Sequence, residues 1–545
     1  MEQRTKNKTT KATSSRPSSR KAAATATATT GSLFNKNPKV SPYLFIFIAL
    51  WVFCALVYDD VFYITEQNSI FAFDNTIMKN VLQKEGGPLI VVSRCFLLSF
   101  HYPVLGGALF AFLLTCSTWL TTYVFGLSGK WNVLPYLPAF GILIYLVNKG
   151  VNIYYQREPS LVFILPLCYF LLSFICALIK RFWSKKPFSP FFKTSQIQAH
   201  DLWIQIAAIV LLWGATTCYA NFTQQNAILT SKMQRQLQQY DIESMIETAK
   251  TARQPSRSVA AYYAIALSQA NCITEKLFEI PYQYPDEHIY NREGKKDVGT
   301  ETYMADCNFY AGLVNSAYHA SMERMVVDGP SIYRLKRMVL CAILNDEKAL
   351  ARKYIYILKQ VPFEQKFIET YEPMITDRQR IAANQELKQV TDLIPMNDEF
   401  EQKYKEPIFL GYNISLTTGR SIQALKNSLA ACLYAKLLPN VIERTQPLVG
   451  GSLPPLVEEA VMVYGINEPS ILEQFQIGPM AKERLQQFMM EAQKNKDIKD
   501  NKKKIFRNIQ ENGFAGYYPL YYYYGNIPDP IETKQQKAEK EGGVN

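Results

Sequence analysis

Nearly all the long apolar runs of this chain are crowded into residues 41 to 221, and that crowding constrains the fold more than any other feature. A helix rises about 1.5 Å per residue, so crossing a ~30 Å hydrocarbon core takes about 20 residues. Four runs reach or approach that length: 104–124 (VLGGALFAFLLTCSTWLTTYV), 132–148, 160–179 (SLVFILPLCYFLLSFICALI) and 202–220 (LWIQIAAIVLLWGATTCYA). A fifth, 42–58 (PYLFIFIALWVFCALVY), is slightly short but correctly flanked. Residues 88–100 (PLIVVSRCFLLSF) are too short to cross and carry Arg94. They read as an interfacial or re-entrant helix leading into the second span, with a sixth crossing as the alternative.

Basic residues in short loops orient such a bundle. Residues 1–40 hold nine Lys/Arg and one Glu. The loop at 180–200 holds Lys180, Arg181, Lys185, Lys186 and Lys193. Four crossings separate the two, so both face the cytoplasm and the fifth span delivers residues 222–545 to the other side. The first run is an uncleaved anchor, because its basic tail is unusually long and no small-x-small cleavage site follows. The tail itself, with AAATATATT at 22–30, has too little apolar surface to offset its ordering entropy and is expected to be disordered.

Residues 222–545 have mixed charge, and the net +12 of the chain does not come from them. They carry 39 Lys/Arg and 39 Asp/Glu, which argues against a nucleic-acid partner. Their pattern is helical. SRSVAAYYAIALSQA at 256–270 sets Ala260, Ala264 and Leu267 on one face, and NDEKALARKYIYILK at 345–359 opens with an Asn-Asp cap. Short turns with Pro or Asn separate such segments. The expected fold is all-α: an N-terminal transmembrane bundle of about five spans over 41–221, then a soluble α-solenoid similar to tetratricopeptide repeats over 222–530. Residues 281–302 read as an exposed polar loop and 531–545 as a charged, disordered tail.

The ten cysteines form no CxxC pair and no Cys/His cluster with zinc spacing, so neither a metal nor another cofactor is called for. If residues 222–530 are exported, Cys272 with Cys307 is the disulfide to test. Three groups of residues could carry function. Asp59 and Asp60 end the first span, where a carboxylate could act as base or metal ligand, and Arg94 and His101 could meet a phosphate. The plainer reading makes the aspartates a polar collar and pairs Arg94 with one of them or with lipid headgroups. Tyr517, Tyr518, Tyr521 and Tyr522 belong to GYYPLYYYYG at 516–525, which either stacks on a sugar or protein partner or caps the last helical unit. His200 and Asp201 are adjacent on a helix and poorly placed as a dyad, and His288 and His319 have no visible partners. No P-loop, HExxH or GxSxG pattern occurs.

Residues 65–115 resemble an uncharacterised family of polytopic membrane proteins of Bacteroidota. The matching features are Glu66-Gln67-Asn68, Phe71 with Phe73, Gly86-Gly87, and FHYPVLGG at 100–107. Residues 262–281 (YYAIALSQANCITEKLFEIP) resemble that family's first helical repeat, and 344–363 (LNDEKALARKYIYILKQVPF) a later one. The resemblance implies a bacterial inner-membrane protein with an external helical-repeat domain, and it implies no activity; with the loop charges, the expected arrangement has the N-terminus in the cytoplasm and that domain in the periplasm. Together with the residues, it points to a membrane-anchored scaffold that binds an envelope protein or glycan. The competing expectation is an enzyme of lipid-linked sugars, similar to membrane glycosyltransferases, working through Asp59 and Asp60.

Overall fold

The structure, a computed structural model, describes residues 41–83, 85–155, 158–184, 199–282, 300–395, 421–495 and 502–525. Among these residues every regular element is a helix. The basic tail, most of the loops expected at 180–200 and 281–302, and the tail 531–545 lie outside them.

The apolar part forms a bundle. Helix α1 (Pro42–Val52) continues as a π-turn over Phe53–Val57, and α2 (Asp59–Gln67) then bends away from this pair by 70°. Helix α3 (Asn75–Leu82) is capped by Asp74, whose carboxylate accepts from the Thr76 and Ile77 amides. Helix α4 (Gly87–Leu97) is the short apolar segment expected at the interface. Then come α5 (Pro103–Phe125), α6 (Tyr136–Lys149), α7 (Leu161–Ser184) and α8 (Ala199–Thr223). Four segments, around α5 to α8, are long and apolar enough to cross a membrane, and the bent α1–α2 pair makes a fifth if counted as one span. Leu172, Ile175, Trp203, Val210 and Leu211 stand exposed on α7 and α8. Such a continuous apolar surface suits lipid better than water.

Helix ends sort into two sets. At one end Gln205 accepts from the Tyr136 hydroxyl and donates to the Gly129 carbonyl, while Lys180 donates to the Tyr123 carbonyl at 2.8 Å. At the other, Tyr58 donates to the Val147 carbonyl, Tyr219 to Asn148, and Tyr154 pairs with Ser231. Helix α1 can lie close to α5 because Gly107 faces it: a Cβ there would stand 3.1 Å from the Cys54 Cβ. Trp51 also donates to the Val104 carbonyl at 2.9 Å, so the pair is held by small residues and hydrogen bonds.

From Gln225 onward the chain makes helical hairpins with a shared turn. Residues Tyr240, Asn271, Gly312, Asp346, Lys436 and Gln476 all have positive φ. In each turn the next amide reaches back five residues and the positive-φ amide three, as in Asp241 N–H to Gln236 C=O and Tyr240 N–H to Leu237 C=O. This is the Schellman ending, in which a left-handed residue satisfies the last helix carbonyls. It joins α9 (Gln225–Gln238) to α10 (Ile242–Lys250), α11 (Arg257–Gln269) to α12 (Ile273–Lys276), α13 (Thr300–Tyr310) to α14 (Val314–Asp328), and α15 (Ile332–Leu344) to α16 (Lys348–Lys359). The later helices Ile422–Tyr434 and Leu438–Thr445 meet in the same way.

One expectation needs correcting here, and two others gain detail. Asn345 and Asp346 do not cap α16: Asn345 ends α15, and Asp346, at φ +60°, is the turn. Their short polar side chains tolerate the left-handed region, which is why a cap-like pair ends up in the turn. Helix α11 keeps Ala260, Ala264 and Leu267 on one face, and its other faces are buried too, since neighbouring helices and Gln423 surround it. Cys272 and Cys307 are not joined by a disulfide: one is at the tip of the α11–α12 hairpin and the other is buried within α13.

Candidate functional site

The stretch TEQNSIFAFD, residues 65–74, leaves the bundle and is laid against the hairpin array. The Ile332 amide donates to the Ser69 carbonyl at 3.2 Å and the Phe73 amide to the Gln360 carbonyl at 2.9 Å. Gln67, fully buried, donates to Glu66 at 2.8 Å and to Glu364 at 3.2 Å, and accepts from Lys336 at 2.8 Å. Lys336 also pairs with Glu364 at 2.6 Å. His101 stacks on Phe363, ring centroids 5.0 Å apart, and its Nδ1 lies 3.8 Å from Glu66. Buried polar groups cost free energy unless bonded, so this seam specifies how bundle and array meet.

Asp59 and Asp60 are brought together on one cation. Arg235 of α9 donates to Asp60 at 2.9 Å and to Asp59 at 3.3 Å, with its guanidinium 4.7 Å from the centre of the Tyr63 ring. Both carboxylates are part of the α2–α9 contact. Arg94 does not join them, against the expectation that it pairs with an aspartate or snorkels outward. It is 8% exposed and donates to the Ser160 hydroxyl at 3.4 Å and the Ile70 carbonyl at 3.5 Å. The 70° bend after α1 decides this, because it turns the aspartates toward α9 and away from α4.

The tyrosine run folds inward. Tyr517, Tyr518 and Tyr521 are buried and Tyr522 is half-buried. The Tyr521 ring stacks on Phe278 at 4.3 Å and its hydroxyl donates to the Tyr434 carbonyl at 2.6 Å. The Tyr518 amide donates to the Glu459 carboxylate at 2.8 Å. These rings join the segment around Phe278 to the last helices, and no open stacking platform is left at Tyr518 or Tyr521.

A second buried cluster, which sequence reasoning missed, lies in the first hairpins. Both oxygens of Asp306 are engaged. Oδ1 accepts from Arg337 Nε at 3.1 Å and Nη2 at 2.7 Å, and Oδ2 accepts from the Tyr262 hydroxyl at 2.8 Å and from the Tyr333 hydroxyl. Burial, and then the Asp306 charge, holds both phenols well above their ordinary range, so they stay donors. Beside this cluster is a narrow crevice with room for about one water molecule. Asn68 of the bundle side, Tyr154 and Tyr155 of the α6–α7 connection, Gln234 of α9 and Arg334 and Arg337 of α15 line it. Burial depresses the Arg334 guanidinium from its usual range. The sequence did carry a signal: Arg334 and Arg337 stand one turn apart on the stripe that continues to Met338 and Cys341, a mostly apolar face.

Among the described residues no group of three or more His, Cys, Asp and Glu is placed to hold a metal ion. No curated protein and no solved structure matches the chain. A family profile described as a family of unknown function (DUF6057) matches residues 36–183 and 151–526. With most of its length matched, the chain belongs to that family of unknown function, DUF6057.

Proposed function

We propose that the protein is a membrane-anchored scaffold whose helical-hairpin array, a tetratricopeptide-like solenoid, binds a protein or glycan partner. The array stands in the periplasm of a bacterial inner membrane, with the N-terminus in the cytoplasm. The observation that carries this reading is the seam at Glu66, Gln67, Lys336 and Glu364, which fastens the array to the bundle through buried polar contacts. A rigid mount suits a protein that presents a surface at a set distance from the membrane. The glycosyltransferase-like alternative requires Asp59 and Asp60 to face a substrate, whereas Arg235 occupies both.

The test is topology followed by partner capture in cells. A reporter active only outside the cytoplasm, fused after Asn226 or Asn545, is expected to be active, and its cytoplasmic counterpart silent. Photo-crosslinkers on exposed array positions of the full-length protein should then give one discrete, position-dependent adduct. Cytoplasmic activity of the fusions would overturn the placement. A lack of adducts at all array positions would overturn the scaffold reading.

A further inference from the structure

We propose that the crevice where bundle and array meet is a phosphate-binding site, with Arg334 as its principal cation and Arg337 as its second. Arg334 is 7% exposed, and among the described residues no hydrogen bond or ion pair is made by its side chain. A guanidinium stays charged in proteins, so a buried one without an acceptor calls for an anion. The nearby carboxylates are already committed. Asp306 is taken by Arg337, Tyr262 and Tyr333; Asp328 Oδ2 accepts from Arg324 at 3.0 and 2.6 Å, and its Oδ1, buried without a hydrogen-bond partner, makes no ion pair with Arg334 among the described residues. Among the described residues, three arginines here face two aspartates.

Arg337 adds a second donor. Its Nε and Nη2 bind Asp306, but its Nη1 is buried without a partner. Both arginines line the crevice, and no acidic residue does. Two guanidinium groups one helical turn apart reach different oxygens of one tetrahedral anion, the geometry at which Arg excels. The neutral wall is stiff: Tyr154 is held by Ser231, Tyr155 by Thr302 and Gln234 by Tyr262. Arg334 is the unfastened side chain, so its movement admits an anion larger than the single water for which the resting crevice has room. The α6–α7 connection places the site at one end of the apolar bundle, an end that a lipid headgroup could reach if the bundle spans a membrane. The phosphate therefore comes either from a lipid or from a soluble compound.

The experiment uses the full-length protein in phosphate-free detergent and in phosphatidylcholine nanodiscs. The probes are inorganic phosphate, against chloride at equal ionic strength, and nanodiscs with added phosphatidic acid. The wild type is expected to bind at least one probe and to unfold at a higher temperature with it. Binding of inorganic phosphate supports a soluble source, and a response to phosphatidic acid alone supports a lipid source. Arg334→Met should weaken binding by roughly tenfold or more, the loss of a charge-assisted hydrogen-bond pair. Without probe it should unfold no earlier than the wild type, because it removes an unpaired buried charge. Arg334→Lys should bind with intermediate affinity, and Arg352→Met, at an exposed position, should bind as the wild type does. The proposal is overturned if the wild type binds neither probe, if Arg334→Met binds like the wild type, or if Arg334→Met and Arg334→Lys both unfold well below it without probe.

Discussion

Substituting Asp306→Asn tests the buried cluster at its centre. The Asp306 and Arg337 side chains are 1% and 8% exposed, and the carboxylate accepts four hydrogen bonds. The amide keeps the shape and one acceptor oxygen but removes the charge, leaving Arg337 buried without a counter-ion. Breaking one side of a buried pair costs about 3–5 kcal/mol. The retained tyrosine bonds place this case near the lower end, about 3 kcal/mol. Arg337→Met should cost a similar amount, because it strands the carboxylate. The double substitution leaves no unpaired charge, so its cost should fall short of the sum by about 2 kcal/mol. Pulse proteolysis of the full-length protein across a urea series reads the fraction unfolded for all four proteins. If Asp306→Asn costs under about 1 kcal/mol, or the two single costs simply add, then the pair is not the coupled element described.

Three further outcomes follow from particular residues. Gly312→Ala should destabilise the array by roughly 3 kcal/mol in the same proteolysis assay, since φ is +83° and the new Cβ would stand 2.5 Å from the Leu393 carbonyl group. Lys436→Gly, at φ +57°, should instead stabilise it by up to about 1 kcal/mol by relieving the left-handed strain, less the lost contact to the Gly525 carbonyl. Burial raises the Glu459 carboxyl from its ordinary 4.5 to about 7, so the folded state favours its protonated form. The stability this contributes is full below about pH 4.5 and lost as pH rises through about 7, on the order of 3 kcal/mol by linkage. Glu459→Gln, whose amide oxygen can still accept from the Tyr518 amide, should flatten that part of the unfolding midpoint's pH profile, and an unchanged profile would refute the assignment.

The bundle was legible in the sequence because an apolar run reports the solvent it needs, whatever its neighbours are. Runs at 104–124, 160–179 and 202–220 therefore became α5, α7 and α8 with small shifts at their ends. The helices of the array were legible from their periodicity, and Gly312, Asn271 and Asp346 are residue types that suit a left-handed turn. Tyr240, Lys436 and Gln476 take the same conformation without any such signature, because packing of the two flanking helices imposes it.

The site was much less legible. Asp59 and Asp60 could be seen at the end of the first span, but Arg235 lies 175 residues beyond Asp60, and only the bend after α1 brings them together. The tyrosine run offered both exposure and burial, and the choice fell to Phe278, some 240 residues away from Tyr521 in sequence. By itself the sequence determined what each segment is: which runs suit lipid, which form helices and which residues carry charge. Only the tertiary structure decided which charges meet. Asp306 found Arg337, Glu364 found Lys336, and Arg334 was left over beside a crevice. Segment identity depends on local chemistry and solvent, whereas the pairing of buried charges depends on distances that only the packed chain sets.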